Sequence, residues 1–268
     1  MSADALDARW DGFLAKIRER FDELMRESEA GCAELLKHTG GDTVPLSNAW
    51  QGMRMRALGL QSKIGDTWSE SVQDKFHEIE AYDRADAAWA RAEAVSDQIE
   101  IDLERIETKI FADALRSMLS MAAQEQAALR CSQCGAELPV GVVLAVTEVN
   151  CRHCGALNTI EPGPRARMAV ALSHYLWQEA CWPKWLARWQ AENAAKRARN
   201  VTLAQLQAWE AAEIDYWTAW LHERAKLMPN TARDFDKELR GRLHQFYGSL
   251  EREPAWFKAG APRRVPPM

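Results

Sequence analysis

Four cysteines have both the residue type and the spacing for metal chemistry. Cys131-Ser132-Gln133-Cys134-Gly135-Ala136 is followed by Cys151-Arg152-His153-Cys154-Gly155-Ala156, with sixteen residues between Cys134 and Cys151. Two thiolates separated by two residues can turn both sulfurs toward one ion. A glycine directly after the second cysteine permits positive φ, so neighbouring N–H groups can point at sulfur. Between the pairs, Val140 to Val149 is β-prone, as is Leu157-Asn158-Thr159-Ile160. Both runs fit a short ribbon joining two knuckles. His153 could replace one sulfur, but with four thiolates present it reads as solvent-facing or as a contact for a partner.

The pattern resembles the zinc-ribbon superfamily over about residues 129–161. That resemblance implies one structural Zn²⁺ held by Cys131, Cys134, Cys151 and Cys154, with no open position for catalysis. It does not imply a function, because a fold is not an activity. The competing readings are disulfides and a redox C-x-x-C. A redox motif of that kind sits in a βαβ context, which this sequence lacks. The ribbon is too small for a core of its own, so the metal is expected to supply much of its folding free energy.

No other constellation carries comparable chemistry. There is no Gly-rich phosphate loop, no G-x-S-x-G and no H-E-x-x-H; His222-Glu223-Arg224-Ala225-Lys226 lacks the second histidine. Asp74-x-x-His77 is single, where a di-iron bundle needs a repeated Glu-x-x-His. Cys32 and Cys181 read as small buried hydrophobes. The basic run Lys196-Arg197-Ala198-Arg199 and the pair Arg263–Arg264 suit phosphates, although solvated helix ends look the same. Trp177, Trp182, Trp185 and Trp189 fit either a bundle core or an interfacial membrane helix.

The elements that must position these residues are helices. Leu6, Trp10, Phe13, Ile17, Phe21, Leu24, Ser28, Cys32 and Leu35 step by three and four, which predicts an amphipathic helix over 4–38. It stops at Gly40-Gly41, and Pro45 is expected to delay the next start until Ser47. Gly59 and Gly65 are expected to weaken the end of that second helix. Residues 66–130 contain neither Gly nor Pro. They predict either one rod of about 95 Å, at 1.5 Å per residue, or two helices broken near Asp83–Asp97. After Pro162-Gly163-Pro164, helices are expected up to Pro183, over 183–199, from Thr202 to Pro229, and from Asn230 to about Leu250. Residues 254–268, with four prolines, read as an irregular tail.

The predicted fold class is therefore mainly α: a helical bundle with long coiled-coil-like helices and an inserted small zinc β-ribbon. Its parts are residues 1–130, 131–161, 162–253 and 254–268. The net charge of −5 is unevenly spread. Residues 1–130 hold 16 Lys/Arg against 25 Asp/Glu, and residues 162–268 hold 17 against 11. Such a split suits self-assembly, mutual attraction of the halves, or a basic half that binds an anion. The acidic start is unlike a signal peptide, no apolar run reaches the length of a membrane span, and paired C-x-x-C thiols suit a reducing compartment. A cytoplasmic location is expected.

The expected function is a non-catalytic zinc-binding scaffold or adaptor that binds another protein or itself, with no small-molecule substrate. Arg152, His153, Lys196, Arg197 and Arg199 are the candidate partner-binding residues. The alternatives are nucleic-acid binding through the ribbon and basic half, and peripheral membrane association through the Trp-rich segment.

Overall fold

The computed structural model describes residues 2–126, 129–138 and 140–260. The architecture is mainly helical with one small two-stranded sheet. The chain forms two compact units, one up to Ser117 and one from Met118 onward.

The first unit begins with α1, Ala3–His38, whose first turn is capped by the Ser2 hydroxyl accepting from the Ala5 N–H. Leu6, Trp10, Leu14, Ile17, Phe21, Met25, Ser28 and Cys32 form its buried stripe. After Gly40 and Gly41, both at positive φ, α2 starts at Thr43 rather than Ser47 and runs to Thr67. Pro45 does not delay it, because a proline is tolerated in a first turn whose N–H groups have no helical partner. The Asp42 side chain accepts from the Val44 N–H and caps that turn. Gly59 and Gly65 lie inside α2 and do not end it.

A π-helical turn, Trp68–Val72, passes into α3, Gln73–Glu78. The chain then breaks at residues 79–81, where Glu80 adopts φ 56°. The rod over 66–130 is thus two helices, and the break falls just before the expected segment. α4 runs from Tyr82 to Gln126. Ile79 and Tyr82, at the break, are exposed.

Ion pairs fix how α4 lies against α1. Arg84 pairs with Asp4 and Asp7, Arg91 with Asp7 and Asp11, Arg18 with Asp102, and Lys109 with Glu29. The near-constant offset of about eighty residues means the two helices run parallel. Arg54 with Glu104 and Glu107, and Gln61 with the Ser96 carbonyl, show α2 running antiparallel to α4. Surface pairs of this kind are each worth about 0–1 kcal/mol, so they select register more than they hold the bundle. Packing does the latter. The Ala-rich stretch of α4 buries Ala85, Ala88 and Ala92, and these small residues admit Trp10, whose Nε1–H donates to the Ala88 carbonyl at 3.0 Å.

The second unit holds the last turns of α4, the sheet and the C-terminal helices. Strand β1, Thr147–Asn150, pairs antiparallel with β2, Leu157–Ile160. The β-prone residues 140–146 are not strand and bend at Ala145. The buried Gln126 side chain holds this segment by accepting from the Val143 N–H at 2.6 Å and donating to the Val143 carbonyl at 3.3 Å.

Helix α5, Pro164–Leu172, breaks at Ser173 before α6, His174–Ala180, so the run to Pro183 is two helices. Then come α7, Trp182–Lys196, and α8, Leu203–Leu227, the latter with a Thr202–Gln205 capping box. A 3-10 turn over Pro229–Asp234 leads to α9, Phe235–Leu250. The expected irregular tail contains a further short helix, α10, Pro254–Lys258. It forms because Trp256 buries against a core that includes Leu206, Trp209, Leu243 and Phe246. Residues 261–268, with Arg263 and Arg264, lie outside the described residues.

Candidate metal centre

The two cysteine pairs fold into knuckles of the same local form. In each, the first cysteine's N–H donates to the alanine carbonyl after the glycine at 2.8 Å (Cys131 to Ala136, Cys151 to Ala156). The glycine N–H donates back to the first cysteine's carbonyl at 2.9 Å. Gly135 and Gly155 sit at φ 71° and 75°, the left-handed region that their lack of a Cβ makes accessible. The first knuckle is flanked by an isolated antiparallel bridge between Arg130 and Glu137, and the second by the Asn150–Leu157 end of the β1–β2 pair.

This geometry converges all four sulfurs on one point. The Sγ atoms of Cys131, Cys134, Cys151 and Cys154 lie within 4.8 Å of one another. The cross-knuckle separations Cys131–Cys154 and Cys134–Cys151 are both 3.6 Å. A disulfide needs about 2.05 Å, so these are free thiols. A tetrahedral ion with Zn–S bonds of about 2.3 Å requires S···S edges of about 3.8 Å. The donor set therefore fits the ion that the zinc-ribbon resemblance implies. Softness of the donors agrees, since four thiolates suit zinc or iron rather than magnesium or calcium.

The electrostatics point the same way. Backbone N–H groups of Cys134 and Gln133 donate to the Cys131 sulfur, and with a contribution from Asn158 they hold that thiol down to about 6. The Cys154 and His153 N–H groups hold Cys151 below its usual range. The Ala136 N–H draws Cys134 down too, but the nearby Cys154 sulfur, burial and the Cys151 and Cys131 sulfurs together push it up to about 12. Sulfurs this close cannot all carry charge unless a cation sits among them.

Asn158 is a site residue that spacing did not reveal. Its side chain is buried; Nδ2–H donates to the Cys131 sulfur at 3.6 Å and to the Ala156 carbonyl at 2.9 Å. Its Oδ1 accepts from the Ser132 N–H at 2.9 Å and the Ser132 hydroxyl at 3.1 Å. Overlaying the two knuckles in sequence would have found it, because the first has Leu138 at the matching position. Under the centre, Cys131, Leu138, Val143, Cys151 and Ile160 form a small apolar cluster.

Compared with family models, curated proteins and solved structures, the chain matches none. Its own geometry therefore carries the functional reading.

The other expected site residues lie apart from the sulfurs. Arg152 and His153 are exposed on the second knuckle, and the His153 side chain is not part of the ligand group. Lys196 ends α7, where it pairs with Glu192 at 2.5 Å and lies 5.9 Å from the Trp209 ring centre. Arg197 and Arg199 follow it, exposed, just beyond the helix end. Cys32 and Cys181 are buried, and burial pushes both thiols up. Trp177 and Trp185 are buried and Trp189 half-buried, with Trp177 edge-on to Trp220 at 4.8 Å. Trp182 is half-buried and stacks on Trp185 at 4.6 Å. Among the described residues, no helix is long and apolar enough to cross a membrane.

Proposed function

We propose that residues 129–161 form a zinc ribbon carrying one structural Zn²⁺. In this reading the protein is a non-catalytic scaffold or adaptor that presents the ribbon's outer surface to a protein partner. The observation that carries it is the closed set of four convergent sulfurs. A tetrahedral ion satisfied by four thiolates has no position left for water or substrate, so its contribution is to fold the module. The exposed Arg152 and His153 stand on the knuckle that such an ion would rigidify. A further support comes from the groove of about 510 Å³ between residues 140–148 and 227–230, whose lining includes Glu148 as its single titratable side chain. That lining suits packing better than acid–base chemistry.

The test has two stages. Metal analysis of the purified full chain should give about one zinc per chain. Affinity capture is then compared between the native chain and an Arg152→Glu, His153→Glu double variant that retains its zinc. A partner held by the native chain and released by the variant supports the surface assignment; equal capture removes it. A salt-sensitive mobility shift with DNA or RNA would favour nucleic acid as the partner instead.

A further inference from the structure

The two knuckles match in backbone but not in what stands behind them. The residue three places after the knuckle glycine is Leu138 in the first and Asn158 in the second. Both are buried. Burying an amide where a leucine fits is unfavourable unless every polar atom finds a partner. Asn158 does so by reaching across to the other knuckle: its Oδ1 takes both Ser132 donors, and its Nδ2–H points at the Cys131 sulfur. Cys131 thereby has three donors on its sulfur, from the Gln133 and Cys134 backbone and the Asn158 side chain, whereas Cys151 has backbone donors alone among its N–H contacts.

We infer that Asn158 is a positioning residue for the metal centre: it locks the first knuckle to β2 and holds Cys131 as the anchoring sulfur. This rests on the zinc-ribbon reading proposed above. Such a partner behind a ligand orients the donor, delocalises thiolate charge and pre-assembles the site before the ion arrives. The second knuckle has no matching side-chain clamp among the described contacts. The side chains of Arg152 and His153 on that knuckle are exposed and stand outside the ligand group, although the His153 N–H supports the Cys151 sulfur.

The experiment uses the full chain loaded with Co²⁺ and then Zn²⁺, in the native form and as Asn158→Leu and Asn158→Asp. Leucine restores the residue of the matching position and keeps the site apolar. Aspartate keeps the acceptor for Ser132 but replaces the N–H donor by a negative oxygen facing sulfur. Zinc affinity, from competition with a chromophoric chelator, should fall roughly 10–100-fold in Asn158→Leu and further in Asn158→Asp. Both variants should still bind one cobalt through four thiolates, with the sulfur-to-cobalt charge-transfer band moved to lower energy, because a thiolate with one fewer hydrogen bond gives up an electron more readily. Native affinity and an unmoved band in Asn158→Leu would overturn the assignment. So would a loss of bound metal without a shift in affinity or band position, since that marks a merely structural residue. A native chain with no tetrathiolate cobalt spectrum would instead sink the metal reading itself, before any variant is compared.

Discussion

Replacing Cys134 by serine separates the metal centre from the rest of the fold. Cys134, like Cys154, is exposed, and it lies 3.6 Å from Cys151 across the centre. Structural zinc sites bind with about 10–16 kcal/mol, so losing one of four thiolates removes roughly 2.5–4 kcal/mol if the donors share equally. That corresponds to a zinc affinity lower by roughly 100- to 1,000-fold. The optical consequence follows from where the helices are. Among the described residues no helix lies between Gln126 and Pro164, and the ribbon contains no tryptophan. Cys134→Ser should therefore lower zinc content and open residues 129–160 to protease. It should leave at least roughly nine-tenths of the helical signal at 222 nm in place, because helical dichroism scales with helical residues. Native zinc affinity in the variant would refute the four-thiolate assignment. A collapse of helicity on metal loss would refute the idea that the ion folds the ribbon alone.

Three further outcomes are expected. Gly155→Ala places a Cβ on a residue at φ 75° and should cost about 1–2 kcal/mol of ribbon stability, read as weaker zinc retention against a chelator. Trp10→Phe removes the buried donor to the Ala88 carbonyl, and the first unit should lose about 1–3 kcal/mol in denaturant titration, with the carbonyl left less satisfied. Burial first, and then the charge of Glu223, push the Cys181 thiol up from the ordinary 9.0 to about 11. The folded chain thus keeps a proton that the unfolded chain loses, so stability should decline as pH rises from about 9 toward 11. Alkylation of Cys181 near pH 8 should be slow until the chain unfolds; rapid labelling with helicity intact would contradict its burial.

Periodicity made the helices legible because each must bury a stripe at fixed steps. The α1 stripe from Leu6 to Cys32 is the clearest instance, and the end at Gly40-Gly41 follows from backbone freedom that only glycine supplies cheaply. Less visible were features decided by tertiary contact. Glu80 takes positive φ with no glycine to announce it, and Pro45 joins a first turn because Asp42 caps it. Val140 to Val146 has strand propensity without a strand partner; the side chain of Gln126 pairs with Val143 in place of a neighbouring backbone. Trp256 likewise draws Pro254–Lys258 into a helix within a segment whose prolines suggested none.

The convergence of the four cysteines was legible for a different reason: metal coordination would fix residue type as well as spacing, so a cysteine pair with its glycine has few substitutes. The supporting shell is not constrained in that way. An amide, a hydroxyl or a backbone N–H can each donate to sulfur from many positions, and Asn158 occurs in a run that reads simply as strand. What singles it out is comparison of the two knuckles. Their backbone bonds match at 2.8 and 2.9 Å, yet leucine at one position faces asparagine at its counterpart. If both knuckles needed only to be filled, a second apolar residue would serve with no amide to satisfy. The asymmetry is thus selective evidence for a task at Cys131 that Cys151 does not share, and exchanging the two residues is the direct way to ask which sulfur anchors the ion.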